Sequence, residues 1–192
     1  MNALILALML QEPPEVVPVP AEFGTHAHSL IDVRAGVGVL LLDGFQADTP
    51  LGTREIESDP LALASLELGL DWEGWGISLG GAVAGTGDVQ ARLGWLRLAT
   101  PALLELPVAL RVSAGPVAGT LDIDASGFGD FEPGLGFLAR VSLETRRESP
   151  LTLALWVDAL ALEFDYDEPT LSGDKGVGSF GLAVGLSAGL RF

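Results

Sequence analysis

From Phe180 to Phe192 the chain alternates with a period of two. Phe180, Leu182, Val184, Leu186, Ala188, Leu190 and Phe192 share one face, while Gly181, Ala183, Gly185, Ser187, Gly189 and Arg191 share the other. A helix would scatter these residues around its circumference, whereas a strand separates them. The same alternation runs from Ile31 to Leu41, where Ile31, Val33, Ala35, Val37, Val39 and Leu41 oppose Asp32, Arg34, Gly36 and Gly38. Six further strands are predicted at 61–72, 74–85, 89–98, 106–122, 134–145 and 151–164. Leu66, Leu68, Leu70 and Trp72 oppose Glu67, Gly69 and Asp71 in the second strand. In the fourth, Val89, Ala91, Leu93 and Trp95 are read against Gln90, Arg92 and Gly94. Pro116 predicts a bulge and a shift of register in the fifth. The seventh carries apolar residues on both faces, with Trp156 and Asp158 on one and Leu155 and Val157 on the other.

The connections predict how these strands are joined. Long acidic loops at 43–60, 124–133 and 165–176 alternate with shorter turns at Glu73–Gly74, 99–105 and 146–150. An up-and-down meander puts odd connections at one end and even ones at the other. The expected fold is all-β, an eight-stranded antiparallel up-and-down barrel. Side-chain volume decides which face points out. The non-apolar face is mostly Gly, Ala and Ser, which suits the inside of a narrow barrel better than a solvated surface. The large apolar face then points outward. Trp72, Trp75 and Trp95 near the strand ends are read as interface aromatics, since an amphipathic ring sits at headgroup level. A closed barrel leaves no strand edge unpaired in lipid.

Composition narrows the function. The chain has 192 residues, no cysteine, 26 acidic and 10 basic residues, and a net charge of −16. Disulfides and thiolate metal sites are excluded, and no basic stripe is available for nucleic acid. Mean hydropathy is +0.42, yet no apolar run approaches the roughly 20 residues of a membrane helix. Residues 1–10 read as the hydrophobic segment of a signal peptide. Residues 11–27 read as a Pro-rich linker, and residues 28–192 as the barrel domain.

The chain resembles bacterial outer-membrane β-barrels of the small eight-stranded kind, such as the OmpA transmembrane domain and OmpX. The resemblance covers about 29–192 by pattern. Its specific part is the last strand, GLAVGLSAGLRF. Val184, Leu186, Leu190 and Phe192 match the family's C-terminal assembly signal, which implies the barrel-assembly machinery and outer-membrane lipids as partners. The implied location is the outer membrane of a Gram-negative-type bacterium.

On this register the lumen receives Asp32, Arg34, Glu67, Arg92, Arg111, Arg140 and Glu144, together with Asp158 and Arg191. Charges in a narrow interior must be paired or hydrated, so they are read as a paired-charge plug. A small passive pore and a soluble lipocalin-like carrier with reversed faces are the alternatives. Catalysis is not expected. His26, His28 and Ser29 lie together, but the adjacent His28 and Ser29 face opposite ways on a strand, and no Ser shares the face of His26 and His28. No cofactor or metal is expected either. The loop acids, among them Asp43, Asp48, Glu55, Glu57, Asp59, Asp122, Asp124, Asp130, Glu132, Asp165, Asp167, Glu168 and Asp174, match no calcium-loop spacing and read as a solvated rim.

Overall fold

The computed structural model describes residues 30–43, 45–49, 52–56, 59–87, 89–105, 108–123, 133–145, 149–165 and 176–192. The expected signal segment and linker, with His26, His28 and Ser29, lie outside them. Among the described residues there are eleven strands and no helix. Eight are long: β1 (Leu30–Leu42), β4 (Leu61–Trp72), β5 (Trp75–Thr86), β6 (Val89–Ala99), β8 (Val108–Ile123), β9 (Gly134–Thr145), β10 (Leu151–Asp165) and β11 (Gly176–Arg191). They pair antiparallel in chain order. β1 also pairs with β11, which closes the sheet into an eight-stranded barrel. β2 (Phe45–Thr49) and β3 (Gly52–Ile56) form a separate hairpin within the first long connection, and the two-residue β7 (Leu104–Glu105) pairs with β8.

The start of β1, the end of β11 and the Glu73–Gly74 turn share one end, and the long connections leave the other together with the two-residue link, 87–88, between β5 and β6. At the turn end, Glu73 and Gly74 have φ values of +47° and +89°. Two positive φ values in a two-residue hairpin match the right-handed twist of the strands it joins. This turn sets Trp72 directly opposite Trp75. Ile31 and Phe192 exchange two backbone hydrogen bonds, of 3.1 and 2.8 Å, and so close β1 against β11.

The outer wall is apolar around the whole circumference. Val37 and Leu186 are cross-strand partners, 65% and 59% exposed, and Leu66, Leu79, Leu135, Phe137, Leu155 and Val157 are exposed like them. A continuous apolar belt of this kind calls for an apolar surrounding, because monomeric soluble proteins rarely expose a large contiguous apolar patch.

Besides the β2–β3 hairpin inside the stretch read as a loop, the barrel differs from the sequence reading in three places. Strand β6 has the opposite phase: Ala91, Leu93, Trp95 and Arg97 point inward, and Gln90, Arg92, Leu96 and Leu98 point outward. The predicted bulge at Pro116 is absent. The β6–β8 pairing keeps one register on both sides of it, from Val89↔Ile123 and Trp95↔Val117 to Leu98↔Ala114. Pro116 points outward, and its missing N–H interrupts the ladder without shifting it. Finally, the lumen is not uniformly small and polar. Its loop-end half is filled by Leu40, Leu61, Leu63, Leu93, Leu121, Leu160, Leu162 and Phe164.

Candidate functional site in the barrel lumen

The inward charges form two ionic clusters in the turn-end and middle parts of the lumen. The first begins at Asp32, on β1. Its carboxylate accepts from Arg34 Nε at 2.9 Å, from Arg191 Nη2 at 3.1 Å and from Thr152 Oγ1 at 3.0 Å. Arg34 reaches on to Glu144, with Nη1 3.0 Å from Oε1. Ser142 Oγ donates to the same carboxylate at 2.8 Å. Arg111 stands 3.7 Å from Glu144 and forks onto Asp71 with bonds of 3.2 and 2.8 Å. This cluster of Asp32, Asp71 and Glu144 with Arg34, Arg111 and Arg191 is electrically neutral.

The second cluster is neutral as well. Arg140 grips Asp158 with both prongs, at 2.5 and 2.7 Å, and reaches Glu67 at 3.3 Å. Arg97 Nη2 donates to the same Glu67 oxygen, Oε2, so that the two arginines share it. Two indoles lie against these cations. Arg140 Cζ is 4.4 Å from the Trp156 ring centroid and 5.8 Å from that of Trp95, and Arg97 is 5.5 Å from Trp95. Desolvated contacts of this type are worth up to about 2 kcal/mol.

Small inward residues make room for these rings. A Cβ on Gly80 would lie 2.7 Å from three atoms of the Trp95 indole, and one on Gly185 would run into Trp156. Trp156 is 1% exposed and Trp95 4%. Next to them lies a cavity of about 30 Å³ lined by Arg97, Arg140, Trp156, Ser142 and Glu144. That volume holds a water molecule or two, not a continuous water path.

Of the expected lumen charges, Asp32, Arg34, Glu67, Arg111, Arg140, Glu144, Asp158 and Arg191 are brought together inside. Arg92 is not, because it lies on the outer wall. Sequence reasoning missed Asp71 and Arg97 as network members. Asp71 was already on the inward face of its strand, so the alternation could have found it. Arg97 was lost with the phase of β6. Among the expected interface aromatics, Trp72 and Trp75 face outward at the turn end, 39% and 44% exposed. Trp95 is buried in the lumen, where its ring lies against Gly80. Val184, Leu186, Leu190 and Phe192 all face outward on the β11 side of the seam.

No protein-family model and no curated protein matches the sequence. Solved structures do match. Neisserial surface protein A superimposes with a TM-score of 0.56 at 11% identity, over 82% of this chain and 95% of that one. The outer membrane protein OprG from Pseudomonas aeruginosa superimposes with a TM-score of 0.58 at 13% identity, over 87% of this chain and 97% of that one. The chain has the fold of the small outer-membrane β-barrels. At such low identity the likeness lies in strand number, pairing and closure, and the lumen residues have to be read for themselves.

Proposed function

We propose that the protein is a transmembrane barrel of the outer membrane of a Gram-negative-type bacterium. In this reading it is a structural anchor that holds its acidic loops at the surface, and its lumen is plugged rather than conducting. The observation that carries the plug is the pairing of five inward arginines with five inward carboxylates in two neutral clusters, capped toward the loop end by Trp95, Trp156 and a layer of leucines. An ion crossing this lumen would have to break buried pairs and then cross an apolar layer, where nothing replaces its hydration shell. The membrane location is supported by the apolar outer wall and by the fold shared with outer-membrane proteins. Lipids are then its immediate surroundings. The outward alternation of Val184, Leu186, Leu190 and Phe192 is the segment for the barrel-assembly machinery to read. No catalytic role is assigned: the lumen carboxylates are all paired with arginines, and the buried polar atoms left without a partner among the described residues, Trp95 Nε1, Trp156 Nε1, Arg97 Nε and Nη1 and Ser179 Oγ, include no nucleophile beside a base.

The test has two stages. Protein folded in detergent is run on SDS gels with and without boiling; a mobility shift together with β-sheet circular dichroism is the expected result. Reconstituted in planar bilayers, the folded protein should then show no stepwise conductance. Regular single-channel steps would replace the plug with the passive pore. Solubility in plain buffer without a gel shift would favour the soluble carrier and remove the membrane reading.

A further inference from the structure

The reversed phase of β6 exposes a feature of the outer wall that the function above does not use. Toward the turn end, β4, β5 and β6 present Leu66, Leu68, Leu70, Ile77, Leu79, Leu96 and Leu98 outward. Toward the loop end the same wall becomes thin. Ala64, Val83, Arg92 and Thr120 lie side by side across β4, β5, β6 and β8, and in the next row come Ala62, Gly85, Gln90 and Asp122. Below them Gly81, Gly94 and Ala118 are aligned across β5, β6 and β8. The result is an open groove of about 560 Å³ whose walls include Ala62, Ala64, Val83, Gly85, Gln90 and Arg92.

Arg92 gives this groove a chemical preference. The five lumen arginines are matched by five carboxylates. Arg92 points the other way, is exposed, and has no ion-pair or hydrogen-bond partner among the described residues. It is the one cation that the described residues place on the outer wall. Its exposed neighbours are the Gln90 amide, the Thr120 hydroxyl and, diagonally, the Asp122 carboxylate. A cation on a lipid-facing wall is tolerated near the interface and not at the midplane, and Arg92 stands near the loop end of its strand. There its guanidinium matches a phosphate, and the small side chains beside it leave space for an acyl chain.

We propose that this groove holds one membrane lipid with an anionic, phosphorylated headgroup, its phosphate on Arg92 and an acyl chain along Ala62, Ala64 and Gly85. The inference rests on the membrane reading, and the test keeps the two apart. Wild-type protein that shows the SDS gel shift is mixed in detergent with phosphatidylglycerol or phosphatidylcholine, and retained lipid is counted by native mass spectrometry. Wild type should retain phosphatidylglycerol several-fold better. Arg92→Gln should lose that preference while keeping the gel shift, since Arg92 supports no packing or pairing inside. Asp122→Asn should strengthen it by removing the nearby negative charge. Ala64→Phe should reduce retention of both lipids by filling the groove. An undiminished headgroup preference in folded Arg92→Gln, or undiminished retention in folded Ala64→Phe, would overturn the lipid site and leave the membrane reading standing. Failure of the wild type to fold in detergent would overturn both.

Discussion

The plug can be tested through a single buried pair. Arg140 and Asp158 are direct cross-strand partners on β9 and β10, joined by two bonds of 2.5 and 2.7 Å, and are 7% and 4% exposed. Replacing Arg140 with Met keeps much of the stem but strips Asp158 of its bidentate partner. It also leaves Glu67 with Arg97 alone and removes the cation lying against Trp156 and Trp95. Breaking a buried pair from one side costs about 3–5 kcal/mol, because the remaining charge is stranded. Arg140→Met should therefore lower unfolding free energy by that amount. Asp158→Asn should do so by less, since Arg140 keeps Glu67. The double variant should recover much of the loss, as neither charge is then left alone. The assay is urea unfolding in lipid vesicles, followed by tryptophan emission and gel mobility, with the four proteins compared as a double-mutant cycle. A loss under about 1 kcal/mol for Arg140→Met would mean that water already solvates the pair. The reasoning for a dry plug would then be refuted, and the passive pore would gain its first direct support.

The outer wall and the seam give further tests. Leu186→Arg sets a charge at the middle of β11, between Val37 and Leu155 on the apolar face. It should cost about 2–4 kcal/mol in a bilayer, seen as weakened urea resistance; normal resistance would mean that β11 presents its other face to lipid. Deleting Phe192 removes both backbone bonds to Ile31 and should slow insertion in an assembly assay with isolated outer membranes. Unchanged insertion would remove the case for a C-terminal signal. Vesicles of brominated lipid should quench Trp72 and Trp75 but not the lumen tryptophans. Emission of the Trp72→Phe, Trp75→Phe double variant should therefore be unaffected, and quenching that persists in it would put Trp95 on the lipid side.

The barrel itself was legible because seven of its eight strands keep a single phase where it matters. Along β1, β4, β9 and β11, a charge or a glycine alternates with a large apolar residue over most of the strand, and one residue of slip would turn the whole apolar set inward. The lumen network was legible for the same reason. Once the face was assigned, Asp32, Arg34, Glu67, Arg111, Arg140 and Glu144 could only meet inside. Which acid meets which arginine was not legible, since that depends on the stagger of the closed sheet. Arg34 and Glu144 lie on strands that do not pair with each other, and they still stand 3.0 Å apart. The hairpin of β2 and β3 was missed because the acids at 43–60 were read as one loop, with no alternation of large apolar residues in FQADT or GTREI to mark a strand.

The error at β6 follows from how the lumen is divided. VQARLGWLRLA is apolar at Val89, Ala91, Leu93 and Trp95 and then, one step out of phase, at Leu96 and Leu98. Reading the first set as lipid-facing assumes that the interior is small and polar throughout. It is so only toward the turn end; toward the loop end the interior is as apolar as the wall, and alternation there carries no directional signal. Leu40-Leu41-Leu42 and Leu160-Ala161-Leu162 show the same loss of contrast. The phase of β6 is settled instead by two residues of its ionic end, Trp95 against Gly80 and Arg97 against Glu67. The outer wall has little power to choose among registers, because lipid accepts any large apolar side chain. Choice falls to the interior, where Asp32 meets Arg191 and Asp158 meets Arg140 as direct cross-strand partners. A slip of two residues would keep every outward leucine in lipid and still part both pairs, so the buried charges set which register closes the barrel.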